Sequence, residues 1–227
     1  VETEAPLLLI NWTNEEGARF SPPMMGSGAA MGIFTEAEVL AKRAPDGAVF
    51  GEELRRIGWQ GEADPAELQR VGAYLELHIE QGRLLEDGGF DVGVVTHALG
   101  QSWFEVTVEG EESHGGSPMA GRRDALMAAA PLIGAVEEIA LATVSPNGEP
   151  GRGTVGVVEV YPSSRNVAPS RAWFTVDFRH GDPDSLARMG EALAARAAGI
   201  AAARGVAAAV APFWHSPLTP FDAALVQ

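Results

Sequence analysis

Residues 73–82 (AYLELHIEQG) constrain the fold more than any other stretch of this 227-residue chain. Leu75, Leu77 and Ile79 alternate with Tyr74, Glu76, His78 and Glu80, the period-two signature of a strand. One face of that strand belongs to a core. The other carries a histidine with a carboxylate two positions away on either side, just before Gly82, where the strand should end. Such a face suits a metal site, in which a neutral imidazole ligates and nearby acids fix its tautomer or share the ion. It suits equally a half-exposed antiparallel strand with a polar outer face.

Residues 5–12 (APLLLINW) form a continuous apolar run, the pattern of a parallel strand covered on both faces. The run leads into Glu15 and Glu16, at the strand end where open α/β sheets place their chemistry. In extended backbone the two carboxylates point to opposite faces; in a turn both address one ligand. A solvated acidic turn is the alternative. The loop at 24–32 (MMGSGAAMG) lacks the Gly-Lys-Ser/Thr or Gly-x-Gly-x-x-Gly of a phosphate cradle. Thr35 and Glu38 form a capping box opening a helix through 42. Two short helices are expected at 50–57 and 65–71, and an apolar strand at 91–98.

The pattern changes after Gly100. Residues 102–109 (SWFEVTVE) place Trp103, Glu105, Thr107 and Glu109 on one face and Phe104, Val106 and Val108 on the other, a one-sided sheet. A loop at 113–119 (SHGGSPM) leads to a helix over 123–142 capped by Asp124. Strands at 154–161 and 171–179 follow, then a helix from Asp182 to about 204 and a strand at 206–211. The order β-α-β-β-α-β is that of a split sandwich with helices on one face. A free edge or face in such a module pairs readily with a second copy. The expected architecture is an α/β domain over 1–99, an inserted βαββαβ domain over 100–212, and a return to the first domain over 213–227.

Composition narrows the partners. A net charge of −15, from 16 basic and 31 acidic residues, disfavours nucleic acid and anionic membrane surfaces and leaves a small molecule as the expected partner. Cysteine is absent, so any metal must be held by His, Asp and Glu, which points to zinc, manganese, cobalt or nickel. No apolar run reads as a membrane span. The opening Val1-Glu2-Thr3-Glu4 lacks the basic n-region of a signal peptide, so a cytoplasmic location is expected. A start at Val, with a strand only a few residues later, reads as a piece of a longer chain.

Six motifs stand in order: Asn-Glu-Glu-Gly-Ala-Arg-Phe at 14–20, Glu-Leu-His-Ile-Glu-Gln-Gly at 76–82, Ser-His-Gly-Gly-Ser-Pro-Met at 113–119, Arg-Arg-Asp-Ala-Leu at 122–126, Asn-Val-Ala-Pro at 166–169 and Asp-Phe-Arg-His at 177–180. Together they resemble the dinuclear-zinc amidohydrolases that include N-carbamoyl-L-amino-acid hydrolase, allantoate amidohydrolase and β-ureidopropionase, relatives of the aminoacylase and carboxypeptidase-G metallopeptidases. The likeness spans essentially the whole chain.

The resemblance implies a zinc-exopeptidase-like catalytic domain interrupted by a lid or dimerisation domain, acting as a homodimer on a ureido acid with two divalent ions. It makes Glu16 and His78 metal ligands and Glu15 the general base. His114 would stabilise the developing oxyanion, usually in the partner's active site. Asn166 and Arg179 would hold the substrate carboxylate, with Gln81 a further substrate contact. For Arg179 a salt bridge to an acid is the competing reading, and for His114 a loop histidine in solvent. Glu76 and Glu80 are candidates to support the ligands; His97, His180 and His215 read as surface or packing residues. The family's Gly-Ser-His-x-Asp before the Glu-Glu motif and its Gly-His-Asp near the C-terminus are not in this sequence. The loop at 113–119 is one residue shorter than the usual His-Ala-Gly-x-Thr-Pro-Met, and Arg83 stands where proline is usual. A non-catalytic dimerisation module and an aminoacylase or dipeptidase are the alternative functions.

Overall fold

A computed structural model describes residues 2–63, 68 and 70–227. Most of the helix expected at 65–71 (residues 65–67 and 69) lies outside the described residues. The chain divides into two compact units, Val1–Gln81 and Gly82–Gln227.

In the first unit, three short helices, α1 (Met25–Ala30), α2 (Glu36–Leu40) and α3 (Phe50–Arg56), enclose a small core of Phe20, Met25, Val39, Ala44 and Phe50. The Thr35 capping box forms as the sequence predicts: the Glu38 backbone N–H donates to Thr35 Oγ1, and Thr35 N–H donates to Glu38 Oε2 at 2.9 Å. Arg19 ties the cluster together, donating to Asp46 and to Glu53 at 2.7 Å. The two expected strands of this unit do not form. Residues 5–12 and 73–80 run without strand assignment, and their apolar side chains face solvent: Leu9 is 98% exposed and Leu77 104%. The reason is geometric. A strand exists only through a ladder with a neighbour, and no described strand pairs with either segment. The two segments instead line an open groove of about 1150 Å³.

The second unit opens with α4 (Leu84–Gly88), where Arg83 pairs with Asp87 at 3.0 Å and is held by its own helix. Of the strand expected at 91–98 only β1 (His97–Ala98) forms, against β9 (Thr219–Pro220), while Val92, Val94 and Val95 stay exposed. The remaining elements are β2 (Gly100–Glu109), β3 (Ser113–His114), α5 (Ala125–Ala142), β4 (Arg152–Thr154), β5 (Val158–Tyr161), β6 (Val167–Ala168), β7 (Arg171–His180), α6 (Pro183–Arg204), β8 (Ala207–Ser216) and, after β9, α7 (Ala223–Val226). The main sheet is antiparallel, in the order β4–β7–β2–β8, with β5 also on β7. Helices α5 and α6 cover one face. They bury Val106, Val108, Phe174, Val176 and Phe178 of the sheet against Leu132, Val136, Met189 and Leu193.

Both helix starts follow the sequence. Asp124 accepts from the Met127 backbone N–H at 3.0 Å, and Asp182 accepts from that of Ser185 at 2.8 Å. Gly205, at φ 65°, ends α6 in the left-handed region that suits glycine.

Three local expectations change. The strand expected at 154–161 breaks at Val155, Gly156 and Val157 into β4 and β5. The strand expected to end at Ala211 continues to Ser216 on the sheet edge. Finally, α5 is apolar and long enough to cross a membrane by composition, contrary to the reading that no segment is; yet Ala125, Ala128, Leu132, Ala135, Val136 and Ile139 are buried in the core, and the helix is the cover of the sheet.

Candidate functional site

The Glu15–Glu16 turn is built by its neighbours. Asn14 sits at φ 52° and its side-chain amide donates to the carbonyls of Phe20 at 2.9 Å and Pro22 at 3.1 Å. Gly17 follows at φ 67°, where a Cβ would stand 2.8 Å from Pro23 backbone, so only glycine fits this close return. The Met24 N–H donates to the Glu15 carbonyl at 2.8 Å. The outcome is a turn with Glu15 half-buried and Glu16 exposed.

Sixty-five positions away in sequence, the Gln81 amide donates to Glu16 Oε1 at 3.1 Å. His78 lies close enough for Glu15 and Glu16 to act on its charge. Its pKa is raised, chiefly by the Ile79 carbonyl that accepts from Nδ1 at 2.6 Å; burial opposes this, and the carboxylates of Glu76, Glu15 and Glu16 add smaller upward effects. With Nδ1 donating to a carbonyl, the neutral ring presents Nε2 as its free lone pair, the usual arrangement for a metal-ligating histidine. Tyr74, on the same face as Glu76 and His78, donates to Glu76 Oε2 at 2.7 Å and accepts from Trp12 Nε1 at 3.0 Å. Burial, then the bond to Glu76, raises the Tyr74 pKa. The sequence reading assigned no role to Trp12 or Tyr74; the signal for Tyr74 was its position two residues before Glu76 on the polar face.

Four of the expected residues, Glu15, Glu16, His78 and Gln81, therefore gather in the first unit. As a metal centre the set is short. Among the described residues no group of three or more His, Asp or Glu side chains could hold an ion, whereas a closed site takes four donors and a catalytic one three. Glu16 and His78 fit the chemistry of two such donors and do not make a site alone.

The second unit carries the rest. The β3–β6 pair sets His114 opposite Val167, so Asn166 lies beside it, and the Gly115 N–H donates to the Asn166 carbonyl at 2.6 Å. The Gly116 N–H donates to His114 Nδ1 at 3.1 Å, which leaves the proton of the neutral ring on Nε2. Both side chains are exposed. Arg179 does not join them. It stands near the far end of β7, eight residues beyond Arg171 and so about 26 Å from it at strand rise. Its guanidinium also grips Asp177, with NH2 donating at 2.8 Å. Asn166 lies in the loop before β6, ahead of the Arg171 end of β7, and Arg179 near the other end, so the strand keeps the two apart within a single copy of the chain. His97 and His215 bond to Thr96 and Ser102. His180 is buried, its Nδ1 accepting from the Asp182 N–H and its Nε2 donating to the Thr143 carbonyl, a packing role as expected.

Residues 96–204 match a peptidase dimerisation domain. An N-carbamoyl-L-amino-acid amidohydrolase of Rhizobium meliloti is 40% identical over 229 residues, covering 100% of this chain and 54% of that protein. An allantoate amidohydrolase of Bacillus subtilis is 32% identical, over 94% of this chain and 51% of its own length. The crystal structure of a hydantoinase/carbamoylase family amidase from Burkholderia vietnamiensis superposes with a TM-score of 0.76 at 44% identity, over 95% of this chain and 51% of that one. The chain spans about half the length of the curated relatives it matches.

Proposed function

The chain belongs to the amidohydrolase family of the N-carbamoyl-L-amino-acid and allantoate hydrolases, and from that premise we propose that it serves the hydrolysis of a ureido C–N bond in an N-carbamoyl amino acid or allantoate. One observation supports the reading above the others: Gln81 bonds to Glu16 from a segment more than sixty residues away, and His78 of that segment lies within reach of the charges of Glu15 and Glu16.

Within this reading Glu15 is the general base, taking a proton from the attacking water and returning it to the leaving nitrogen. Glu16 and His78 offer one donor each toward two divalent ions, zinc, manganese, cobalt or nickel, whose chemistry would be to acidify water and polarise the carbonyl. The family pattern draws its other donors from the Gly-Ser-His-x-Asp and Gly-His-Asp motifs, which this sequence does not contain. Gln81, by holding a Glu16 oxygen, fixes the carboxylate and stands ready to meet substrate. His114 Nε2–H and the Asn166 amide form one patch of donors for the substrate's oxygens, and Arg179 a second for its carboxylate. Because the His114–Asn166 patch lies ahead of Arg171 and β7 spans about 26 Å from there to Arg179, both serve one substrate only across a homodimer formed through the second unit, in line with the peptidase dimerisation match.

The test is ammonia release from N-carbamoyl-α-amino acids, N-carbamoyl-β-alanine and allantoate, with and without chelator. The expected result is turnover of one of these, abolished by chelator and lowered roughly 10²–10⁴-fold by Glu15→Gln. Unchanged turnover in Glu15→Gln overturns the assignment of the base. A dimer that holds no metal after dialysis and turns over nothing favours the alternative, a non-catalytic dimerisation module; the short donor set is the observation behind it.

A further inference from the structure

Arg122 makes an unusual set of bonds. Its guanidinium donates to four backbone carbonyls of one loop: Pro118 at 3.2 Å, Gly115 at 2.9 Å, His114 at 3.4 Å, and Ser117. These carbonyls belong to the turn that carries His114, closed by the Ser117 N–H donating to the His114 carbonyl at 2.9 Å. Carbonyl oxygens crowded onto one point repel one another unless a cation or several donors sit among them. Arg122 meets that need through Nε, which donates to Pro118, and Nη2, whose two hydrogens are shared among the carbonyls of Gly115, Ser117 and His114; the planar group fixes these two nitrogens relative to each other, as the single donor point of an ammonium does not.

The arginine is itself well anchored. It stands two residues before the Asp124 cap of α5. The strand leaving β2 bonds to its neighbour, Glu111 N–H to the Arg123 carbonyl at 2.7 Å, and Ala125 N–H donates to the Pro169 carbonyl at 3.0 Å. The loop is held from the other side by the Gly115–Asn166 backbone bond. Between these two anchors the Gly116 N–H reaches His114 Nδ1 and sets the ring with its Nε2–H outward. The loop has two adjacent glycines, Gly115 and Gly116, and little side-chain packing of its own, so its geometry depends on these few bonds.

We propose that Arg122 is the positioning residue for His114: by gathering the carbonyls of residues 114, 115, 117 and 118 it holds the turn in which Gly116 fixes the imidazole tautomer and aims Nε2–H at the ligand. This deepens the proposed function, resting on it only for the statement that His114 meets a substrate oxygen. The role of Arg122 is to act through His114, without touching substrate itself.

The test reads the ring directly. Nitrogen-15 spectra of the histidines in the dimer are compared for the natural chain, Arg122→Ala and Arg122→Lys. In the natural chain His114 gives the signature of one neutral tautomer, protonated on Nε2. In Arg122→Ala the two ring nitrogens move toward averaged shifts, and the Gly116 amide exchanges roughly tenfold faster, as befits the loss of a cooperating set of hydrogen bonds. Arg122→Lys restores part of the natural pattern. The buried His180 ring and the amides of α5 stay as they were, which separates a loop effect from loss of fold. An unchanged His114 signature in Arg122→Ala overturns the proposal, as does a change that spreads equally to His180 and α5. Titration of the natural chain with an N-carbamoyl amino acid reports separately on the function: no response at His114 there counts against His114 as a substrate donor while the Arg122 result stands by itself.

Discussion

The two units of this chain obey the same sequence rules with opposite results. In the second, the alternation of residues 102–109 finds a partner on each side, and β2 pairs along its length with both β7 and β8. Its apolar face is sealed beneath α5 and α6, with Val106, Val108, Phe174 and Phe178 at 0% exposure. In the first, residues 73–80 alternate as cleanly, yet Leu75, Leu77 and Ile79 stand in solvent because no described strand forms a ladder with them. Periodicity specifies which face a strand would bury; it does not supply the neighbour. The first unit holds its polar face in place by side-chain bonds, Gln81 to Glu16 and Tyr74 to Glu76, rather than by a ladder.

Four measurements would break or sharpen this contrast. The largest effect is expected for Phe174→Ala, which empties the centre of the second unit's core and should cost about 3–5 kcal/mol in urea unfolding. Removing the α6 cap with Asp182→Ala should cost about 1 kcal/mol in the same unit. In the first unit, Glu53 is held at a pKa of about 2 by Arg56 and then Arg19. Its folded value lies below its unfolded one, so the stability it contributes is complete above the ordinary carboxylate range and is lost as pH falls from there toward 2. Amide exchange across α3 should accelerate over that window, and Glu53→Gln should flatten the dependence. The smallest effect is expected for Leu77→Asn, within about 0.5 kcal/mol, as for other exposed positions. A cost there approaching that of Phe174→Ala would mean that residues 73–80 are laddered in solution, and the contrast between the units would fail.

How much was legible in the sequence follows the same line. The caps at Thr35, Asp124 and Asp182 were readable because each is a local bond between a side chain and an amide two or three residues on. The β-α-β-β-α-β order was readable because every strand of that module finds its partner within it. The end of β8 was not. Pro212 lacks an N–H and reads as a stop, but β8 is an edge strand where proline is tolerated, and the ladder resumes after a bulge that sets Trp214 against Trp103 and Pro212 against Phe104. Among the site residues, the meeting of Glu16 with Gln81 could be expected from motif order. The separation of Asn166 from Arg179 follows from the strand at 171–179, which sets Arg179 a strand's length beyond the loop that holds Asn166; the motif resemblance, which pairs the two on one carboxylate, does not reveal it. Arg122 was visible as a motif letter and silent as to role, because its partners are backbone carbonyls that any sequence would offer.

The ten residues of β7 act as a ruler fixed into each subunit. If one catalytic pocket draws on the Arg179 end of one copy and the His114 end of another, specific activity falls on dilution through the dimer's dissociation range. Two dead variants, one altered at each end, then regain about a quarter of the sites when mixed and allowed to exchange subunits, since random reassortment gives mixed pairs in half of all dimers and one intact pocket of two in each mixed pair. Genetic complementation between inactive alleles would then be a property of strand length.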